Sequence, residues 1–204
     1  MATFSKTQGT TILTHQAITH PDTVKGSAQD VSTKIAATVV CFHSIVEDVA
    51  NTNPGTFLVQ VSASSSGDED WATISQFTVI AATATEAESE ALTATEPSGE
   101  TVLAVAATAN FVAGDYVYIQ DTGTLADSEW GRLQEIVTNT SLNLIDGLTT
   151  GKDSSDVAWR PADVFVVQLD LSAVGRLRVV FQHEGATGAN CHVKAMMVTA
   201  DSFA

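Results

Sequence analysis

Thr101-Val102-Leu103-Ala104-Val105, Phe111-Val112-Ala113-Gly114-Asp115, Tyr116-Val117-Tyr118-Ile119-Gln120, Trp130-Gly131-Arg132-Leu133-Gln134-Glu135-Ile136-Val137 and Leu142-Asn143-Leu144-Ile145 follow one another with only short polar breaks between them. Period-2 runs punctuated by Gly, Asn, Asp and Ser are the pattern of half-buried antiparallel strands. Longer runs of the same kind stand on both sides: Phe57-Leu58-Val59-Gln60-Val61 before, and Phe165-Val166-Val167-Gln168-Leu169 with Leu177-Arg178-Val179-Val180-Phe181 after. Neither flank has enough strands to close a core, whereas together they supply about seven or eight, near the usual sandwich count. The expected fold is therefore all-β. Residues 24–83 and 161–204 form one split β-sandwich of jelly-roll or Greek-key type, and 84–160 is an inserted small β-barrel or hairpin module with its linkers. Residues 1–23, polar and Thr-rich, are read as an N-terminal arm or edge strand that orders on contact with a neighbour.

Within the flanks, strands are expected at Val24–Val31, Ala36–Ile45, Thr56–Ser62, Trp71–Ile80, Val164–Leu171, Arg176–His183 and Cys191–Thr199. Asn51-Thr-Asn-Pro-Gly55 is a turn by composition. Ala81–Glu96 is rich in Ala, Thr and Glu and has no apolar stripe, so a short helix fits it no better than an irregular linker or an extended strand. Thr149–Asp156 reads as the linker that closes the insert.

Composition narrows the function classes. The chain has 204 residues with 44% hydrophobic content and a mean hydropathy of +0.13, which excludes wholesale disorder. No apolar run approaches the roughly 18–20 residues of a membrane-spanning helix. The segment Met1-Ala-Thr-Phe-Ser-Lys6 lacks the basic and apolar regions of a secretory signal, so synthesis in a cytoplasm is expected. Of the net charge of −15, fourteen carboxylates fall between Ile35 and Gly131, a span without Lys or Arg. A field of that sign repels nucleic acid. It marks an exposed, solubilising face, with the balanced remainder left to contact a partner.

Motifs of chemistry are sparse. His15, His20, His43, His183 and His192 lack metal-binding spacing, although His43, His183 and His192 fall on outer-domain strands that could meet in space. Cys41 and Cys191 are expected as buried reduced thiols, with a disulfide possible only if their strands are neighbours. Asp68-Glu69-Asp70 is the one calcium candidate, with Asp163 or the pair Asp153 and Asp156 as distant partners; a solvated turn is the default. No nucleophile elbow or triad spacing occurs, and Trp71, Trp130 and Trp159 read as core or junction residues. No cofactor, catalytic residue or enzyme activity is expected.

Ala50-Asn-Thr-Asn-Pro-Gly-Thr-Phe-Leu-Val-Gln-Val-Ser-Ala-Ser64, followed by Gly67-Asp-Glu-Asp-Trp71, resembles the accessory sandwich domains of tailed-bacteriophage virions. Phe111–Ile119, Glu129–Val137 and Asn139–Leu144 look like the small barrel modules inserted into phage head and tail proteins. The chain as a whole resembles head decoration (cement) proteins and related capsid-associated β-sandwich proteins. The resemblance implies a virion protein on the capsid exterior, made in the host cytoplasm. It would bind the major capsid protein, bridge capsomers as a homo-oligomeric dimer or trimer, and engage neither nucleic acid nor membrane. Thr3, Phe4, Lys6, Ile12 and Leu13 of the arm are the expected capsid contacts. The alternative is a tail, baseplate or host-adhesion module that binds a surface glycan or receptor.

Overall fold

The computed structural model describes residues 9–19, 22–47, 55–68, 70–79, 88–183 and 190–201. Their strands are β1 (Thr10–Ile18), β2 (Asp22–Lys25), β3 (Gln29–Asp30), β4 (Lys34–Ile45), β5 (Thr56–Ser62), β6 (Ala72–Thr78) and β7 (Glu88–Ala91), then β8 (Val102–Ala104), β9 (Tyr116–Gln120), β10 (Glu129–Val137), β11 (Ser141–Leu144), β12 (Val157–Asp170), β13 (Arg176–His183) and β14 (Cys191–Asp201). Among the described residues the single helical segment is a one-turn 3₁₀ element at Leu125–Asp127. None of their helices is long and apolar enough to cross a membrane.

Eight strands build a jelly roll. The antiparallel pairs β1·β14, β2·β13, β4·β12 and β5·β6 are nested in sequence, as when one long hairpin is rolled up. Pairing of β14 with β4 and of β13 with β5 joins them into two sheets, β1-β14-β4-β12 and β2-β13-β5-β6. That nesting selects the jelly roll from the two expected topologies. Alternation on the facing strands explains the core: Ala37, Val39 and Cys41 of β4, Phe57 and Val59 of β5, Leu177, Val179 and Phe181 of β13, and Val193, Ala195 and Met197 of β14 are all buried between the sheets. The Phe57 and Phe181 rings pack tilted, with centroids 4.7 Å apart, and burying each contributes about 1.5–3 kcal/mol. Gly55 permits this packing, because a Cβ there would lie 2.2 Å from the Phe181 ring.

The insert forms a ring of its own. β12 pairs with β9, then come β10, β11 and β8, and β7 returns to the other edge of β12. The ring closes where Leu92 bridges Val105 and the Thr93 N–H donates to the Ala104 carbonyl at 2.8 Å. Inside lies a second core that includes Leu103, Phe111, Val117, Ile119, Leu133, Leu142, Leu144 and Ala158. Of the alternatives for the Ala- and Glu-rich stretch, the extended strand is the one present, as β7 at Glu88–Ala91.

The barrel and the sandwich share a strand: β12 is continuous, with residues 157–160 paired within the barrel and residues 162–170 paired with β4 of the sandwich. Its register against β9 shifts between Trp159 and Ala162, around Pro161, which has no N–H for the ladder. The insert's strands thus extend the main sheet. At the other end, residues 10–18 are no free arm. They form the edge strand β1 on β14, with Ile12, Leu13 and Ile18 in the sandwich core.

The basic-free span does not form one outward surface either. It supplies β4 and β5 to opposite sheets and puts Val39, Cys41, Phe57 and Val59 in the core.

Candidate functional site

The barrel leans on the sandwich through aromatic and imidazole side chains. On β9, Val117 and Ile119 fill the barrel, so Tyr116 and Tyr118 point outward. Tyr118 nevertheless has no exposure, because it meets His192 of β14 and His15 of β1. Its hydroxyl bonds to His192 Nδ1 and lies 3.0 Å from His15 Nε2. Trp130 of β10 packs 4.5 Å from the Tyr118 ring, 5.1 Å from His15 and 5.4 Å from Phe42 of β4. Its indole N–H donates to the His43 carbonyl at 3.0 Å.

Burial penalises the imidazolium form. It lowers His192 from the ordinary 6.5 to about 4. Burial, helped by His192 and Lys194, does the same to His15. Burial raises the Tyr118 phenol, so the proton stays on its oxygen at neutral pH. The junction is a neutral hydrogen-bonded wedge between two modules.

A second polar cluster closes the end of the barrel. Lys152, expected in a linker, is 1% exposed. Its ammonium donates to Glu129 Oε1 at 2.9 Å, the Asp127 carbonyl at 2.9 Å, and the Thr150 hydroxyl and carbonyl at 2.6 and 3.2 Å. For Glu129, burial acts to raise the carboxyl, but hydrogen bonds from Thr149 and the charge and proton of Lys152 outweigh it and leave it lowered.

On the outer face of the second sheet, Arg176 and Arg178 of β13 lie over the Trp71 ring at 4.9 and 4.1 Å. Arg178 pairs with Asp68 and donates to Gln60 Oε1 at 2.8 Å, while the Trp71 indole N–H donates to Asp68 at 2.8 Å.

These contacts reassign several sequence candidates. The Asp68 carboxylate is held by Arg178 and Trp71 and so belongs to a loop clamp, where Arg178 lowers its pKa. Asp70 is exposed, and Glu69 lies outside the described residues. The proposed distant partners do not reach this loop: Asp156 accepts from Thr122 and from the Asp153 N–H, and Asp163 lies 3.4 Å from His43. No group of three or more His, Cys, Asp or Glu able to hold a metal occurs among the described residues.

Of the arm contacts, Ile12 and Leu13 are each 1% exposed in the core and cannot face a capsid, while Thr3, Phe4 and Lys6 lie outside the described residues. His43 of β4 and His183 of β13 flank Phe181 inside the sandwich, whereas His192 of β14 points outward to Tyr118, so the three do not meet. His20 lies outside the described residues.

Cys41 and Cys191 are free and buried, and burial pushes both thiols up to about 12. Their strands are neighbours, but Cys191 sits opposite Ile45 and Cys41 opposite Ala195. That four-residue offset, about 13 Å at a strand's rise, is too long for a disulfide.

A cleft of about 350 Å³ opens where residues 145–149 part from β10, lined by Tyr116, Trp130, Arg132, Glu129 and Asp146 among others. Gly131 lets the core side chain of Leu144 pack against β10, since a Cβ there would lie 2.8 Å from it.

No family model matches the chain, and no curated protein does either. Solved structures similar to it include the SPBc2 prophage-derived protein YomS, at 12% identity and a TM-score of 0.32, covering 98% of this chain and 97% of that one. A structure of infectious bursal disease virus, Gt strain, aligns at 11% identity and a TM-score of 0.23, covering 97% of this chain and 41% of the other.

Proposed function

We propose that this chain is a virion structural protein, a head decoration or cement protein of a tailed phage. It binds the outside of the assembled capsid, contacts the major capsid protein and bridges neighbouring capsomers as a homo-oligomer. One observation carries the reading: β12 runs unbroken from barrel to sandwich, and the Tyr118–His192–His15–Trp130 wedge braces the two modules against each other. A bridge between capsomers must transmit load, and a body of two modules sharing a strand does so without a hinge. Among the described residues, two of the charge pairs brace that body: Lys152 with Glu129, and Arg178 with Asp68. The protein then acts by binding rather than by catalysis, because ligation of the assembled shell shifts its equilibrium by mass action. The net charge of −15 keeps it from nucleic acid.

Particles assembled with and without the protein test this directly. Those lacking it should form but release DNA at a lower temperature, and adding the purified chain should restore them. Equal release temperatures would sink the cement role. The second reading, a tail or host-adhesion module, is favoured by the barrel cleft, where Tyr116 and Trp130 stand beside Arg132, Glu129 and Asp146. Copy number per virion separates the two: hundreds for a cement protein, few for a tail part.

A further inference from the structure

The two outer faces of the sandwich differ in kind. An antiparallel sheet with one face in the core and one in water alternates apolar and polar residues. The sheet β2-β13-β5-β6 obeys this apart from Leu58, Val180 and Ile74, the last at the register shift of β6 and 47% exposed. Its outward rows are Thr23–Gln182–Thr56–Thr78 and Arg178–Gln60–Thr73. The sheet β1-β14-β4-β12 does not. Beside its buried inner face it presents the outward row Thr11–Met196–Val40–Val166, then Val198–Thr38–Gln168, then Ala200–Ala36–Asp170. Val166 is 58% exposed, and a groove of about 610 Å³ runs along the last two rows.

We infer that this dry half-face is where a second copy of the chain docks, sheet against sheet, to make a two-fold dimer. Three observations favour that occupant. First, the face continues an interface the molecule already makes: Phe42 and His192, on the same side of the same strands, are covered by Trp130 and Tyr118 of the barrel. Second, each copy carries a net charge of −15, so two copies approach at least cost where carboxylates are fewest, and Asp170 is the only charge in the three rows. Third, the size fits. Ten outward positions, each about 6.7 Å along a strand by 4.8 Å between strands, give ~320 Å². That is the dry centre of a specific interface of about 800 Å² per partner, the rest being polar rim. A self-complementary patch closes into a dimer and does not propagate.

Because it takes up the self-association proposed above, the dimer rests on that part of the reading and not on the capsid. Sedimentation velocity of the purified full chain, over micromolar concentrations, should give twice the 21.4 kDa chain mass. Val166→Asp should give the chain mass, with a dissociation constant at least ten-fold weaker and an unchanged circular dichroism spectrum, since Val166 is exposed and tolerates the change. Gln60→Asp, on the wet face, should stay dimeric. Raising the salt concentration should tighten the wild-type dimer by screening like charge. Wild-type protein at the chain mass throughout, or a Val166→Asp protein that dimerises as well as wild type, would overturn the proposal. Monomeric wild type whose Val166→Asp variant no longer binds particles would also overturn it and assign the face to the shell instead.

Discussion

The Tyr118 hydroxyl of the barrel hydrogen-bonds to the His192 Nδ1 of the sandwich, across a junction that neither module's own core provides. A phenol has one proton to give, so one of its two imidazole neighbours accepts it and the other donates. Tyr118→Phe keeps the ring and its packing on Trp130 and removes both bonds. The buried His192 nitrogen is then left without its partner, a cost of about 1–3 kcal/mol, while the half-buried His15 can turn to water. Urea denaturation should show that loss in the midpoint with little change in slope, because the surface exposed on unfolding is the same.

The same junction makes stability fall in acid. His15 and His192 titrate near 4 in the folded protein and near 6.5 when unfolded. Between those values the unfolded chain binds protons that the folded chain refuses. Stability is therefore complete above pH 6.5 and declines as pH drops toward 4. The carboxylates of Asp68 and Glu129, both lowered, add their own loss at still lower pH. Unfolding free energy measured from pH 7 to 4 should slope downward, and the double variant His15→Gln, His192→Gln should flatten that slope. An unchanged slope would mean that the imidazoles are not what acid attacks.

Lys152 supports a sharper expectation. Its side chain is fully buried, and Glu129 opposite is only partly so. Lys152→Met would leave the Glu129 carboxylate without its cation and the Thr150 carbonyl without the ammonium, while the Asp127 carbonyl keeps only the Thr150 hydroxyl. Breaking one side of a buried pair costs about 3–5 kcal/mol. Amide exchange should locate the damage in β10 and the residues around 127–152, with the sandwich strands β13 and β14 protected. Lys152→Arg should not rescue it, because the larger guanidinium has no space beside four fixed acceptors.

Calcium should do nothing. Asp68 is held by Arg178 and Trp71, and a cation there would have to displace a guanidinium. Melting temperatures in millimolar calcium and in chelator should coincide; a rise with calcium would restore the cluster as a site.

Much of the fold was legible because alternation is a local signal. The strands, the split sandwich and the inserted barrel follow from period-2 runs and turn residues. What escaped depends on partners far apart in sequence. Ala158 and Trp159 sit in a short apolar run before Pro161, and only pairing with β7 and β9 shows that β12 begins at Val157. His15 lay in the expected N-terminal arm and His192 on an outer strand, and nothing within either segment announces Tyr118. Lys152 looked solvated because a lone Lys in a Thr-, Ser- and Asp-rich stretch usually is. One usable signal was missed: Arg176 and Arg178, two apart, share a strand face, which makes them a candidate pair for a nearby aromatic ring.

The N-terminal strand sets a test whose outcome is easily misread. Removing the first nineteen residues would remove β1, and with it Ile12, Leu13 and Ile18 from the sandwich core. Burial of each such side chain contributes about 1.5–3 kcal/mol, so the three together rival the whole stability of an ordinary domain, about 5–15 kcal/mol. The truncated chain should therefore lose its cooperative melt, and its failure to bind capsids would report unfolding, not a lost anchor. Removal of residues 1–8 alone spares β1 and should leave the melting temperature within a few degrees of wild type. If that shorter deletion still abolishes decoration of particles, the anchor lies among Thr3, Phe4 and Lys6. If it binds at full occupancy, those residues are not the anchor, and the contact must be sought on the folded surface.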